Sequence, residues 1–491
     1  MRKLSWKRTV ALTGLVLVVL LGVIVGIYFW QMRMLKPYEV DMGAMDHAGH
    51  SAGHAHGSAH AALLPASQPA RLCSAITEQD GQEPVREFRL AASQSSVVLD
   101  DGGTERVWAF NGRVPGPEIR VTEGERVRVV LDNHDIQAGV TVHWHGIVLP
   151  CSQDGVAGVT QDAVKPGERF TYEFVAGASG TYWYHSHQAS SVQVEKGLLG
   201  AFIVEPRERE GGHAQEEVVL IQQLNGTYLL NGSAKGAIIA AAPGTKVRIR
   251  MINAANETDR IRVSGASYRV MAMDGHELYE PGLLERHEFR MGAGQRYDLL
   301  LQMPAKGKVV IGTETGLTVT LGEGAEPDLA ANQSLFDWTR YGKPDPSAPL
   351  SQVRVDRSYT LKLGQNLFIN TINGKSFHEI PPLIVREGER LKLTITNASG
   401  GDHPFHLHGH VFRVLSRNGQ PLSGTPVLLD TLLTHDGETY EVYVQADNPG
   451  LWMMHCHNLM HASMGMSMMM NYEGIATPYR VGTKSGNLPD L

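Results

Sequence analysis

Short alternations of apolar and polar residues, separated by turns, dominate the chain from about residue 86 onward. Three stretches share one pattern: a turn rich in Pro or Gly, then apolar side chains at every second position, then Asn133, Asn253 or Asn397. A period of two is typical of a strand with one buried face, and turns keep such strands short. The middle copy is the weakest. The pattern predicts an all-β fold of three β-sandwich units.

A long apolar run near the start of the chain departs from this pattern. Residues 10–30 are almost entirely apolar and follow four basic residues within positions 2–8. As a helix this run spans roughly 30 Å, the thickness of a bilayer core, and the basic flank belongs on the cytoplasmic side. We predict a single-pass anchor over residues 1–35, in the cell membrane, with the rest of the chain outside the cytoplasm. A cleaved signal peptide is the alternative.

The stretch after the predicted anchor contains few apolar residues that could form a hydrophobic core. Residues 36–85 are rich in Ala, Gly and Ser, and five His and two Met lie within residues 41–60. Such a composition buries too little apolar surface to fold, so we predict a flexible, disordered linker. Imidazoles and thioethers bind copper or zinc, so metal capture is one interpretation of the linker and an incidental His content is the other.

Length and charge narrow the function. The 491 residues suffice for about three domains, which we place at residues 86–210, 211–350 and 351–491. The net charge of −7 argues against a nucleic-acid partner. The 53 Gly residues fit many short strands joined by turns.

Two of the three Cys residues lie outside the metal motif described below. Cys73 and Cys151 fall in the part predicted to be exported, where disulfides form. Spacing alone does not show that two thiols are close in space. A Cys73–Cys151 disulfide and two free buried thiols are therefore both open.

Four His-x-His pairs occur at matching places in the first and third units. They are His143/His145, His185/His187, His406/His408 and His455/His457. Side chains at i and i+2 share one face of a strand, so each pair can bind one metal cluster from one side. Eight imidazoles are too many for one ion and suit a trinuclear site. The middle unit has no such pair at either place.

Cys456 separates the two members of the last pair. In an extended strand Cys456 points to one face and both His neighbours point to the other, so one strand can serve two metal sites. His461 and Met466 follow it, and the strand parity of His403 places this residue on the Cys456 side. A thiolate, two imidazoles and a weak thioether are the ligands of a blue-copper electron-transfer centre.

These motifs resemble those of the multicopper oxidases, the laccase-like enzymes, over about residues 86–480. The resemblance implies three cupredoxin-like Greek-key domains, with a trinuclear copper cluster between the first and the third. It implies four copper ions: one type 1, one type 2 and two type 3. By motif position the type 1 ligands are His403, Cys456, His461 and Met466. The type 2 ligands are His143 and His406. The type 3 ligands are His145, His185, His187, His408, His455 and His457.

The resemblance also implies a mechanism. A reductant gives single electrons to the type 1 site, they pass through Cys456 to the cluster, and four of them reduce O₂ to two waters. Asp154 matches the family's acidic residue near the cluster and is expected to relay protons; a turn-forming Asp-Gly is the alternative. Many relatives carry a Glu in the stretch that here reads Asn458-Leu459-Met460, so a second acidic relay is missing there or supplied elsewhere.

Two classes of reducing substrate fit the sequence. Met464, Met466, Met468 and Met470 share strand parity, and a face of thioethers favours Cu(I). Together with the linker, this indicates cuprous oxidation and copper resistance. Met is more often adaptable core filling, however, and phenols and aromatic amines fit a laccase-like enzyme equally well.

Two other classes of protein compete with an oxidase. A copper nitrite reductase shares cupredoxin domains but has no trinuclear cluster, so four complete His pairs argue against it. A non-enzymatic copper-binding or copper-delivery protein of the cell envelope would use the linker and the Met residues but would not need eight paired imidazoles. We predict a monomer whose partners are O₂ and small reductants.

The other polar and aromatic candidates receive simpler interpretations. Trp144, Trp183 and Trp452 are expected to pack beside the motifs rather than to relay electrons. Asp430 is interpreted as a residue that faces substrate. Seven further histidines are predicted not to bind metal: His134, His213, His276, His287, His378, His410 and His435.

Overall fold

The computed structural model describes residues 39–40, 42, 70–78, 81–100, 102–208, 214–329, 334–349, 353–366 and 369–490. The predicted anchor and most of the predicted linker lie outside these residues. Within the described part of the chain, no helix combines the length and apolar character needed to cross a membrane. Most of the regular structure described is strand.

The first unit is a sandwich of two four-stranded sheets. In spatial order, one sheet contains Thr104–Phe110, Val85–Val98, Arg126–Asn133 and Arg169–Val175. The other contains Ile119–Thr122, Leu199–Glu205, Gly180–His185 and His143–His145. The second sheet carries both His pairs of this unit at its edge.

The middle unit pairs two six-stranded sheets. One runs Thr227–Leu230, Gln215–Leu224, Lys246–Asn253, Arg296–Gln302, Tyr268–Met273 and His276–Glu277. The other runs Ala237–Ile239, Thr318–Leu321, Val309–Gly312, Asp259–Ser264, His287–Met291 and Ser334–Leu335.

The third unit repeats the plan with a seven-stranded and a five-stranded sheet. The larger holds Ile369–Ile372, Arg357–Asn366, Arg390–Ala398, Thr439–Gln445, Phe412–Arg417 and Gln420–Pro421, with Leu428–Leu429 on Phe412–Arg417. The smaller holds Leu383–Val385, Ser467–Tyr472, Leu451–Cys456, His403–Leu407 and Thr431–Thr434.

Helices among the described residues are short. The α-helices are Ser190–Glu195 and Leu459–Ser463. The 3₁₀ helices are Cys73–Ala75, Cys151–Gln153, Trp338–Arg340 and Phe377–Glu379.

The three repeated runs form corresponding strands, as their period predicts. In the strand Arg390–Ala398 the apolar side chains of Leu391, Leu393 and Ile395 are buried, while the residues between them are half-buried. In each unit the strand pairs in parallel with the strand that opens the unit. The alternation therefore turns one face of each repeated strand into the core of its sandwich.

The Asn that ends each repeat has a structural role. Asn133, Asn253 and Asn397 are fully buried. The side-chain amide of each donates to one carbonyl three or four residues further on and to a second carbonyl from a distant part of the same unit. A buried amide satisfied in this way fixes the loop that follows the strand.

The predicted linker extends too far toward the folded units, and its last part is ordered. Arg71–Leu72 pairs in parallel with Ile475–Ala476, and Cys73 forms a disulfide with Cys151. Because this pairing supplies backbone partners and the bridge supplies a covalent tie, residues 70–78 need no large core of their own. Of the two alternatives that the sequence left open, a disulfide and two free buried thiols, the structure has the disulfide.

Candidate metal centre

Histidines of the first and third units meet where their strand ends face each other. In the first unit His143 lies opposite His185 on antiparallel strands, and in the third His406 lies opposite His455. Directly opposed residues project from the same face of a sheet. The first and third units therefore each present a row of imidazoles on the sheet that carries these strands.

The two rows interlock. The imidazole of His143 stacks on that of His408, and His145 stacks on His406, both with ring centroids 3.9 Å apart. The predicted cluster residues are all buried here: His143, His145, His185, His187, His406, His408, His455 and His457. The structure thus brings all four His-x-His pairs into one buried cluster between the two units.

Burial keeps most of these imidazoles neutral. It is the main cause that lowers the pKa well below the usual value, with neighbouring imidazoles adding to it, for His145, His185, His187, His408, His455 and His457. For His406 burial lowers the pKa although Asp430 opposes it. A neutral imidazole keeps one nitrogen lone pair, the form that binds a metal ion.

Several of those lone pairs have no protein partner among the residues that the structure describes. His408 Nδ1 donates to Asp154 Oδ2 at 2.9 Å, and His455 Nδ1 donates to the Cys456 carbonyl at 3.1 Å. Their Nε2 atoms, left as lone pairs, lie 3.1 Å apart. Further buried nitrogens without a hydrogen-bond partner in the described part of the chain are Nε2 of His143, His185 and His406 and Nδ1 of His145. Converging lone pairs repel unless a cation lies between them, so this donor set fits copper ions.

A second donor group lies on the opposite face of the same strand. Cys456 Sγ lies 3.4 Å from His403 Nδ1 and 3.7 Å from His461 Nδ1. Met466 is buried, and its carbonyl accepts from the Cys456 N–H while its own N–H donates to the His461 carbonyl. Burial raises the pKa of the Cys456 thiol. A bound cation is therefore needed to hold the thiolate form.

The prediction that Met464, Met466, Met468 and Met470 form one face of thioethers is wrong for most of these residues. Met468 and Met470 lie in the strand Ser467–Tyr472 and are buried in the core. Met464 ends the helix Leu459–Ser463, so it does not share the strand parity used to predict the face. The Met residues near His461 that are exposed are Met460 and Met464, at 46% and 42% exposure.

Asp154 lies between two cluster histidines. One carboxylate oxygen accepts from His408 Nδ1, and the other lies 3.2 Å from His143 Nδ1, which also donates to the Asp154 carbonyl. The 3₁₀ helix Cys151–Gln153, tied by the Cys73–Cys151 bridge, places this residue. Asp154 therefore touches imidazoles of both units and can accept or deliver a proton beside them.

The interpretation of Asp430 as a substrate-facing residue is wrong, because its side chain is buried against the cluster. Its Oδ1 lies 3.0 Å from His145 Nε2, and its carbonyl accepts from His406 Nδ1. Arg296 binds both carboxylate oxygens, at 2.8 and 2.6 Å. Burial opposes ionisation of Asp430, but Arg296 and His145 outweigh it and hold its pKa well below the usual value.

The middle unit therefore forms part of the cluster wall. Besides Arg296 it supplies Asp274, which accepts from the N–H groups of Arg296 and Thr431. It also supplies Gly294, where a Cβ would lie 2.9 Å from the rings of His145 and His457. The sequence analysis missed Arg296, Asp274 and Gly294 because these residues form no short motif. The one signal in the sequence was a charged residue, Arg296, at the start of an apolar strand.

The stretch Asn458-Leu459-Met460 holds no acid toward the cluster. Asn458 caps the helix Leu459–Ser463 by accepting from the His461 N–H. Leu459 is buried in an apolar cluster that includes Trp183 and Ile252. Any second acidic group beside the cluster must therefore come from elsewhere in the chain.

The remaining predictions concern the Trp residues beside the motifs and the histidines that were predicted not to bind metal. Trp183 packs against His185, with ring centroids 4.4 Å apart, and Trp144 lies in the apolar core. Within the described residues, none of the following joins a potential metal-binding group: His134, His276, His287, His410 and His435. His213 and the side chain of His378 lie outside the described residues.

Comparison with known proteins agrees with this geometry. Three family profiles described as multicopper oxidase match residues 91–209, 183–314 and 348–474. The chain belongs to the multicopper oxidase family. It is therefore an oxidoreductase that contains copper and uses O₂ together with a reductant.

Individual relatives show how far the likeness extends. A multicopper oxidase of Mycobacterium tuberculosis is 28% identical over 83% of this chain and 92% of its own length. A laccase of Botryotinia fuckeliana is 26% identical over 76% of this chain and 80% of its own length. A multicopper oxidase from Pseudomonas thermotolerans has a similar structure, with a TM-score of 0.67 and 28% identity over 80% of this chain and all of that one. These relatives show that the likeness spans all three units.

Proposed function

We propose that this multicopper oxidase holds four copper ions and couples one-electron oxidation of a small reductant to reduction of O₂ to two waters. The observation that carries the proposal is the strand Leu451–Cys456 with His457, because it serves both donor groups. Cys456 lies in the group with His403 and His461, while His455 lies with His187 and His408.

The donor groups support one assignment of ligands. The type 1 ion belongs to His403, Cys456, His461 and Met466, and the type 2 ion to His143 and His406. The two type 3 ions belong to His145, His185, His187, His408, His455 and His457. When bound, the copper ions take single electrons from the reductant and deliver four of them to O₂.

The protein's own residues separate electron entry from oxygen chemistry. His461 is half-buried, so an electron can enter at its edge, whereas the cluster histidines are sealed from solvent. The path from Cys456 to His455 or His457 runs through a few covalent bonds of one strand. Asp154 supplies a proton-accepting carboxylate between His143 and His408. Because the cluster histidines are buried, the protein excludes water from the place where the copper ions would be held.

The surface beside His461 favours a cationic or electron-rich reductant. Met460 and Met464 expose thioethers there, and the exposed carboxylate of Glu257 accepts from the Asn458 side chain at 3.3 Å. Soft thioethers favour Cu(I), which supports a cuprous oxidase serving copper tolerance. Phenols and aromatic amines are the second class of substrate in this proposal.

We place the enzyme in the cell membrane, with its three units outside the cytoplasm. The apolar run at residues 10–30 supports the anchor, and the Cys73–Cys151 disulfide supports an oxidising compartment. Peptide mapping of the mature protein tests this. Recovery of residues 10–30 supports the anchor, and their absence supports a cleaved signal.

Oxygen uptake separates this proposal from a non-enzymatic copper-delivery protein of the envelope. With an excess of reductant, the oxidase should consume one O₂ for every four electrons supplied and release no hydrogen peroxide. A delivery protein would bind copper and consume no O₂. Purified protein that carries copper yet leaves dissolved oxygen unchanged would refute the proposed function.

A further inference from the structure

Asp490 is a buried carboxyl group for which the described residues show no charged partner. Its Oδ2 accepts a hydrogen bond from Ser467 Oγ at 2.6 Å. Its Oδ1 is buried and has no hydrogen-bond partner among the described residues. The side chain is 8% exposed. Burying a carboxyl group that is only half satisfied costs free energy, so its presence here calls for an explanation.

This carboxyl group lies on the cluster side of the third unit. Ser467 is directly opposite His455 on the neighbouring antiparallel strand, so their side chains share one face of the sheet. The backbone carbonyls of Leu488 and Pro489 accept from the N–H groups of Ala189 and Ser190, close after His187. Asp490 is therefore held between the strand of His455 and the segment that follows His187.

Other unpartnered polar atoms lie on the same side. Both ring nitrogens of His187 and the hydroxyl of Ser190 are buried without a hydrogen-bond partner among the described residues. The rings of His187 and His455 have centroids 5.3 Å apart. The free oxygen of Asp490 thus belongs to a polar region beside one edge of the cluster.

The environment of Asp490 favours its protonated form. Burial raises its pKa to about 6, and the hydrogen bond from Ser467 acts in the opposite direction. On this side of the cluster, burial lowers the pKa of the His187 and His455 imidazoles well below the usual value. A carboxyl group in this range can lose and regain a proton near neutral pH.

We propose that Asp490 is a proton-donating residue for oxygen reduction, acting on the side of the cluster formed by His187 and His455. This inference rests on the proposed function. Reduction of one O₂ to two waters consumes four electrons and four protons; the reductant supplies the electrons. Asp490 releases one proton toward the cluster, becomes a carboxylate that Ser467 stabilises, and is reprotonated from solvent.

Two acids then serve different edges of the cluster. Asp154 contacts His143 and His408, whereas Asp490 approaches from the side of His187 and His455. Leu459, which lies between His457 and His461 in the chain, is buried in an apolar cluster, so that stretch offers the copper cluster no acid, and Asp490 supplies one from another part of the chain.

The test compares Asp490→Asn with Asp490→Glu in the copper-loaded full chain. Asp162→Asn is the matched control, because the exposed Asp162 carboxylate binds Asn487 of the same segment but lies away from the cluster. After anaerobic reduction, each protein is mixed with O₂, and the rates of cluster reoxidation and of type 1 reduction are measured. Infrared spectra of resting proteins report the carboxylic-acid band of Asp490 independently of turnover.

Asp490→Asn should slow cluster reoxidation at least about ten-fold, while the copper content and the rate of type 1 reduction stay unchanged. The infrared spectrum of this variant should lack one carboxylic-acid band that titrates in the wild type. Asp490→Glu should restore most of the rate, and Asp162→Asn should match the wild type. Wild-type reoxidation in Asp490→Asn, absence of that band in the wild type, or equal copper loss in both Asp490 variants would overturn the inference. Failure of the wild type itself to consume O₂ would instead refute the proposed function.

Discussion

At the residue scale, two carboxylates beside the cluster have different roles although each contacts a histidine from both end units. Asp430 is locked by both arms of Arg296, so its charge is fixed and it orients His145 and His406. Among the described residues, Asp154 makes its ion-pair contacts with His143 and His408 rather than with a guanidinium. A carboxylate fixed by Arg is suited to orient ligands, and one without it is suited to exchange protons.

Replacement of Asp154 tests the second role. Asp154→Asn keeps the shape of the side chain but removes the proton-accepting group, so reoxidation of the reduced enzyme by O₂ should slow by about a hundred-fold. Stopped-flow absorption should show that the type 1 site is still reduced at the wild-type rate. Asp154→Glu, which keeps the acid, should be the milder change; unaltered reoxidation in Asp154→Asn would remove the proton role.

Replacement of Arg296 tests the first role. Arg296→Met leaves the Asp430 carboxylate buried without its counter-charge, which should destabilise the fold by about 3–5 kcal/mol and lower copper occupancy. Because the cost comes from the uncompensated charge, Arg296→Met/Asp430→Asn should recover part of the stability. Denaturant unfolding and copper analysis measure both effects. A double variant less stable than Arg296→Met would contradict the account.

At the element scale, the strands determine which residues share a site, and this is where the sequence was most informative. A period of two placed Cys456 opposite its His neighbours, and the His pairs lay at corresponding strand ends of two repeats, so local pattern predicted the donor groups. The same reasoning failed for Met464, because the helix Leu459–Ser463 interrupts the strand. It also missed Arg296 and Asp274, since their contacts depend on how separate units pack.

The helix Leu459–Ser463 carries its own prediction about substrate. Met460→Leu/Met464→Leu removes the two exposed thioethers beside His461 while keeping apolar bulk. If these thioethers dock Cu(I), the Michaelis constant for Cu(I) should rise about ten-fold while turnover of a phenol changes little.

Met468→Leu is the control for that experiment, because Met468 is buried in the strand Ser467–Tyr472. It should leave both substrates unaffected, apart from small changes in stability. Equal loss of Cu(I) and phenol oxidation in Met460→Leu/Met464→Leu would show that the helix serves general electron entry rather than Cu(I) recognition.

At the scale of the whole molecule, the oxygen-reducing centre belongs to no single unit. The first and third units supply the imidazoles, and the middle unit supplies Arg296, Asp274 and Gly294 to the wall. The segment 70–78 adds a covalent tie to the loop before Asp154. Cluster geometry therefore depends on the packing of all three units. For this reason, the sequence pattern of any one unit did not predict the complete site.

The copper content of the purified, fully loaded chain tests this account most directly. The two donor groups, one around Cys456 and one of eight buried imidazoles, predict about four copper ions per chain. A saturated value of one or two copper ions per chain would contradict a cluster shared by the two end units.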